Sequence, residues 1–86
     1  MVSFFHQIKD ELGLHARPAA LLVKLAKEFA GTEIKVEKDG KAVRATQLLG
    51  LMGLGVRCGD RVCVTVEGDR EQEAAEALRA FLTQKL

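Results

Sequence analysis

Residues 13–18 read Gly-Leu-His-Ala-Arg-Pro, and an apolar segment without glycine follows them directly. Pro18 suits the first turn of a helix, because the amide hydrogen that proline lacks would have no helical partner there. The segment therefore predicts a helix from about Ala16 to Phe29 or Ala30. His15 is then expected at the N-cap or next to it, beside free backbone N–H groups and the positive end of the helix dipole.

The residue types at this helix start suit phosphoryl transfer. A neutral imidazole that faces an anion site can accept a phosphoryl group as nucleophile and then hold it. Backbone amides and the guanidinium of Arg17 would offset the negative charge that arrives with the group. His15 is the predicted acceptor, and Ala16, Arg17 and Pro18 are predicted to bind or position the phosphoryl group. The alternatives are a structural or merely exposed histidine and an arginine that is only a surface charge.

The composition limits the class of protein. The chain has 86 residues, 48% of them apolar and 29% charged, which fits one globular domain over residues 1–86 with a small core. A net charge of +1 argues against a nucleic-acid-binding protein that works by bulk charge. No apolar run reaches the roughly 18 residues of a membrane span, and the first residues lack the features of a signal peptide. We therefore expect a cytoplasmic protein without nucleic-acid partner or membrane insertion.

The two cysteines give no sign of a metal site. Cys58 and Cys63 have a spacing that is not a standard zinc pattern, and no second close pair accompanies them. They are interpreted as reduced thiols, and no metal or cofactor is expected.

Alternation of apolar and polar residues predicts four strands. They cover Phe4–Lys9, Glu33–Glu37, Lys41–Val43 and Arg61–Glu67. The Asp39-Gly40 pair between the second and third is typical of a tight hairpin turn.

Two further helices are expected after the first, for which Gly31 is the predicted C-cap. One is a short helix over Gln47–Met52, capped by Thr46 and ended by Gly53 and Gly55. The other begins after Asp69 as N-cap, with Gln72 three residues later as in a capping box. The order strand, helix, strand, strand, helix, strand, helix predicts an α+β fold. It is an open-faced β-sandwich in which three helices cover one face of a four-stranded antiparallel sheet.

The chain resembles HPr, the histidine phosphocarrier family of the bacterial phosphoenolpyruvate:sugar phosphotransferase system. The resemblance covers nearly the whole chain, and its specific features are the stretch Gly13–Ala20, the Asp39–Lys41 turn, the segment Leu48–Gly55 and Glu67-Gly68 before an acidic final helix. It implies a carrier without enzymatic turnover of its own. The phosphoryl group would come from phosphorylated enzyme I, whose donor is phosphoenolpyruvate, reside on Nδ1 of His15, and pass to the IIA domains of sugar permeases.

A carrier with several partners is expected to present an apolar docking surface. The candidates are Leu48, Leu49 and Met52 on the short helix, with Leu54 as a weaker one. Lys24, Lys27 and Arg17 would form a basic rim suited to acidic partners. A monomer is expected, because one face must meet successive partners.

The resemblance departs at a regulatory position. Many members of the family carry a serine before the short helix that HPr kinase phosphorylates. Local alignment places Gln47 at that position in this chain, and glutamine cannot be phosphorylated. Thr46 is the adjacent hydroxyl and the possible regulatory residue, so HPr kinase and transcriptional regulators are partners only if Thr46 is a target.

Two other functions remain open at this point. One is a regulatory paralogue in a nitrogen-related phosphotransfer chain, with His15 still phosphorylated but a different IIA partner. The other is a small α+β module that binds a ligand or partner without covalent chemistry.

Overall fold

The computed structural model describes residues 1–86 and contains the seven elements in the predicted order. They are β1 (Val2–Gln7), α1 (Ala16–Lys27), β2 (Thr32–Lys38), β3 (Lys41–Arg44), α2 (Leu48–Gly53), β4 (Arg61–Gly68) and α3 (Glu71–Lys85). The strands form one antiparallel sheet in the order β1-β4-β2-β3. The predicted α+β sandwich, with helices on one face of the sheet, is confirmed.

The alternation along β4 explains why only one face of the sheet is covered. Val62, Val64 and Val66 are buried beneath the helices, whereas Cys63 and Thr65 lie half-exposed on the other face. Full burial of one such side chain stabilises the fold by about 1.5–3 kcal/mol. The inward-facing residues of β4 therefore form part of the apolar face against which the helices pack.

The hairpin between β2 and β3 forms at the predicted dipeptide. Asp39 and Gly40 both have positive φ, 51° and 83°, and Lys38 pairs with Lys41 across the turn. Two consecutive positive φ values match the twist of an antiparallel pair, which is why Asp-Gly is favoured there.

The end of α1 differs from the prediction. The helix ends at Lys27 with Glu28 as C-cap, and neither Phe29 nor Ala30 belongs to it. The amides of Glu28 and Phe29 bond to carbonyls three residues back, which tightens the last turn before Phe29 enters the core. Gly31, predicted as C-cap, instead supplies a φ of 89° in the turn into β2.

Both predicted N-caps of the later helices were wrong. Gln47, not Thr46, is the N-cap of α2, and Arg70, not Asp69, is the N-cap of α3. The start of α3 is held from outside the helix, since the Thr32 hydroxyl accepts a hydrogen bond from the Arg70 amide at 3.3 Å. A contact from β2 thus replaces a local cap.

The end of α3 is tied to the loop that follows β1. The backbone amides of Lys9 and Asp10 both donate to the carbonyl oxygen of Leu86, whose side chain is buried in the core. This contact brings the last turn of α3 beside the segment that leads to His15. None of the three helices is long and apolar enough to span a bilayer.

Stability should depend on His6, which lies half-buried on β1 with an unpartnered Nε2. Burial lowers the pKa of His6, against the opposing effect of a hydrogen bond with the Leu86 backbone. The unfolded chain therefore takes up this proton more readily than the folded one. The stability associated with neutral His6 is complete above about pH 6.5 and is lost as pH falls below it.

Thermal melts at pH 7.5 and pH 5 test this expectation. Tm should fall further for the wild type than for His6→Gln, in which the titrating group is absent. Carboxylates titrate alike in both proteins, so the difference isolates His6. Equal falls in Tm would contradict the assignment.

Candidate functional site

His15 caps α1 with its backbone and leaves its imidazole free. Its φ of −92° and ψ of −176° are extended, and its side chain makes no capping hydrogen bond. The first hydrogen bond of the helix runs from the Ala19 amide to the His15 carbonyl at 3.0 Å. The amides of Ala16 and Arg17 precede this bond and have no partner within the helix, and Pro18 has no amide hydrogen. The half-exposed imidazole therefore lies beside two free donors, as the sequence predicts.

The charges along α1 leave its first turn attractive to an anion. The first turn contains no acidic residue, and the last turn contains Lys24 and Lys27. An acidic side chain in the first turn would offset the positive end of the helix dipole. Because α1 has none, this positive charge remains available to a bound anion. The guanidinium of Arg17 is exposed and forms no salt bridge.

One open pocket gathers side chains from three parts of the chain. Its lining residues are Asp10, His15, Arg17, Pro18, Leu21 and Lys85. The structure thus brings together three residues that the sequence predicts for the site, and Ala16 contributes only its backbone. The sequence reasoning missed Asp10, Leu21 and Lys85. No local pattern links Lys85 to His15, because only the anchoring of Leu86 brings the two ends of the chain together.

Gly13 allows the loop before His15 to touch the segment that follows α2. Its φ is 68°, and a Cβ atom there would overlap the Val56 oxygen and lie 2.8 Å from the Arg57 Cα. The Leu14 amide donates to the same Val56 oxygen at 3.1 Å. Both the backbone conformation and the close approach require glycine at this position.

Several large apolar side chains are exposed on the loop before His15, on α1 and on α2, which packs against α1. Together they form what we term the apolar surface: Leu12, Leu21, Leu48, Leu49 and Met52. Leu49 is 85% exposed and Leu12 is 73% exposed. The sequence reasoning missed Leu12 and Leu21. Its inclusion of Leu54 was wrong, since Leu54 is only 8% exposed and belongs to the core.

Thr46 and Gln47 are both exposed ahead of α2. Thr46 lines a polar depression together with Arg44, Glu33 and Glu67. The guanidinium of Arg44 lies 3.7 Å from the Glu33 carboxylate. A new negative charge on Thr46 would therefore meet two carboxylates and an arginine that already has a partner.

Fold and site together define a class: an open-faced α+β sandwich that presents a half-exposed histidine at a helix start, beside free backbone amides. The sequence profile described as "PTS HPr component phosphorylation site" matches residues 2–84. The chain belongs to this family, the HPr phosphocarriers, whose members are not enzymes in the usual sense.

Similar proteins carry two different names. The chain is 49% identical over 76 residues to the HPr-like protein Crh of Halalkalibacterium halodurans, covering 88% of this chain and 89% of the relative. It is 44% identical over 75 residues to the phosphocarrier protein HPr of Lysinibacillus sphaericus, covering 87% and 84%. The chain is therefore similar both to an HPr-like protein and to a phosphocarrier protein HPr.

Solved structures confirm the fold. HPr-C-His from Thermoanaerobacter tengcongensis superposes with a TM-score of 0.93 at 46% identity, covering 99% of this chain and 94% of that one. Crh of Bacillus subtilis, at 41% identity and a TM-score of 0.77, covers 100% and 98% and was solved as a dimer with a swapping domain.

Substitution of Gly13 by alanine should disturb the loop that carries His15. The added Cβ must displace the backbone of Val56 and Arg57, and alanine disfavours positive φ. We expect a loss of about 1–3 kcal/mol in the free energy of unfolding, measured by urea denaturation. Gly53→Ala is the matched control, because Gly53 lies in α2 with open space around it. Unfolding midpoints that are equal in the two variants would contradict this role of Gly13.

Proposed function

We propose that this protein accepts a phosphoryl group on Nδ1 of His15 from phosphorylated enzyme I and passes it to IIA domains of sugar permeases. The observation that carries the proposal is the uncapped imidazole at the start of α1, in one pocket with Arg17 and beside two free amides. Membership in the HPr family supports the same chemistry.

The arrangement suits a group that must be both held and released. In the forward step the imidazole nitrogen forms a bond to phosphorus, and the bond to the donor breaks with its electron pair leaving on the donor. The amides of Ala16 and Arg17 and the Arg17 guanidinium then balance the charge of the phosphoryl oxygens. The pocket is open to solvent, so this stabilisation is partial and the group can move on. Transfer is then mainly a matter of positioning and electrostatics, completed by the partner's site.

The apolar surface is the proposed docking site for both partners. It adjoins the pocket through Leu21, and the exposed Lys24, Lys27 and Arg17 provide positive charge for acidic partner surfaces. Since one surface must meet enzyme I and the IIA domains in turn, we expect the working form to be a cytoplasmic monomer. A swapped dimer, as in Crh of Bacillus subtilis, is the alternative assembly.

A second candidate function is a regulatory one, favoured by the 41% identity to Crh of Bacillus subtilis, whose structure is described as that of a catabolite repression protein. Regulation by a kinase at Thr46 has less support, because Glu33 and Glu67 line the same depression. Noncovalent binding without phosphorylation would leave the free imidazole at the helix start without a role.

Intact mass after incubation with phosphoenolpyruvate and a bacterial enzyme I tests the main proposal. One acid-labile phosphoryl group should be added to the wild type and none to His15→Ala.

In the same assay Arg17→Ala should be phosphorylated about tenfold more slowly, as expected for loss of one charge-assisted contact. Its Tm should be unchanged, because Arg17 is exposed and unpaired.

Arg61→Ala provides the matched control for Arg17, since Arg61 lies on β4 and stacks on Phe5. Its rate of phosphorylation should equal that of the wild type. Absence of any addition to the wild type, with enzyme I active on another HPr, would rule out the carrier function. A group that persists in His15→Ala would rule out the acceptor assignment.

The docking role of the apolar surface predicts a loss of transfer without a loss of stability. Leu49 is the most exposed side chain of that surface, so Leu49→Gln should leave Tm unchanged. It should raise the concentration needed for half-maximal phosphorylation by enzyme I severalfold, as expected for a buried apolar contact at an interface. Phe5→Gln, at an exposed apolar position on the other face of the sheet, serves as control. Similar behaviour of both variants would place docking elsewhere.

A further inference from the structure

We propose that the ammonium group of Lys85 binds the phosphoryl group carried by His15 and acts as the second cation of the site. This inference rests on the proposed phosphocarrier function and deepens it. Lys85 is separated from His15 by almost the whole chain, yet both side chains line the same pocket.

The fold fixes where Lys85 lies. Leu86, the next residue, has its side chain in the core, and its amide donates to the Leu82 carbonyl at 2.9 Å. Its own carbonyl accepts from the amides of Lys9 and Asp10. The last turn of α3 is thus anchored both to the core and to the loop before His15. Lys85 is exposed on this anchored turn, at the rim of the pocket.

The charge balance of the pocket depends on Lys85. Asp10 brings one negative charge, and the Leu12 amide donates to its Oδ1 at 2.8 Å. Arg17 brings one positive charge, so these two side chains alone cancel. Lys85 brings the summed charge of the lining side chains to +1, against an incoming group of roughly −1.5 to −2. None of the three side chains forms a salt bridge, so both cations are free to face the phosphoryl oxygens.

A role limited to α3 is the competing explanation. A cation in the last turn of a helix stabilises that helix through its dipole, and Lys85 is in this position. The two roles predict different measurements. The dipole role changes the stability of the protein, whereas binding of the phosphoryl group changes the properties of the phosphorylated form.

The test loads His15 chemically with phosphoramidate, so that no partner protein is needed. The imidazole nitrogen forms its bond to phosphorus as the phosphoramidate P–N bond breaks and ammonia leaves. A ³¹P NMR titration then follows the second ionisation of the phosphohistidine in wild type, Lys85→Gln, Lys85→Arg and Lys35→Gln. Lys35 is the matched control, because it is exposed on β2 and faces away from the helices.

Loss of a nearby cation disfavours the dianion, so the midpoint for Lys85→Gln should lie about 0.2 to 0.7 pH units above that of the wild type. Lys85→Arg and Lys35→Gln should keep the wild-type midpoint. With phosphoenolpyruvate and enzyme I, the ratio of phosphorylated to free protein should fall about two- to fivefold in Lys85→Gln.

A wild-type midpoint in Lys85→Gln would overturn the proposal, and a lower Tm in that variant without a shifted midpoint would assign Lys85 to the helix dipole alone. Failure of the proposed function gives a different result. In that case the wild type acquires no phosphohistidine at position 15 from phosphoramidate or from enzyme I, and no comparison of midpoints arises.

Discussion

The backbone contact between Gly13 and the Val56–Arg57 segment is the constraint on which the site depends. It holds the loop before α1 close enough for the Leu14 amide to reach the Val56 carbonyl, and this fixes the entry of the chain into the helix. His15 can then cap α1 with its backbone alone. Because the loop is held from outside, the helix start needs no side-chain cap, and the imidazole is left free for chemistry.

A carrier has to hold its group less firmly than an enzyme holds a transition state. The proposed site would meet this requirement through exposed donors: two amides at the start of α1 and two exposed cations in an open pocket. Solvent screens such interactions, so each contributes modestly. Asp10 weakens the binding of an anion in this pocket further, because its carboxylate repels the negative charge that Arg17 attracts. Attraction by the amides and cations, reduced by solvent screening and by Asp10, would let the site hold a phosphoryl group and still release it.

The sequence predicts those parts of the molecule that local physics determines. Period-two alternation locates β4, Asp39-Gly40 locates the hairpin, and Pro18 locates the start of α1. Prediction failed wherever a distant residue decides the local structure. The N-cap of α3 is at Arg70 because Thr32, on β2, accepts its amide hydrogen. In the same way Lys85 lines the pocket because Leu86 is anchored to Lys9 and Asp10. These residues are too far apart in the sequence for a local pattern to predict their contact.

Overall similarity does not separate carrier from regulator in this family. The chain is 49% identical to a protein named for an HPr-like role and 44% identical to one named as a phosphocarrier, a difference too small to assign either role. Function depends on the site rather than on the fold, because the same sandwich would form around a different residue at position 15. His15 makes no hydrogen bond through its side chain and contributes only its backbone to α1, so stability does not require an imidazole there. A free nucleophile beside a positive helix end has its physical explanation in phosphoryl transfer.

The same reasoning extends to regulation. A kinase site at Thr46 would need cations around the new charge, but the depression presents two carboxylates and one paired arginine. The depression beside Thr46 therefore offers less compensation for a new negative charge than the pocket at the start of α1.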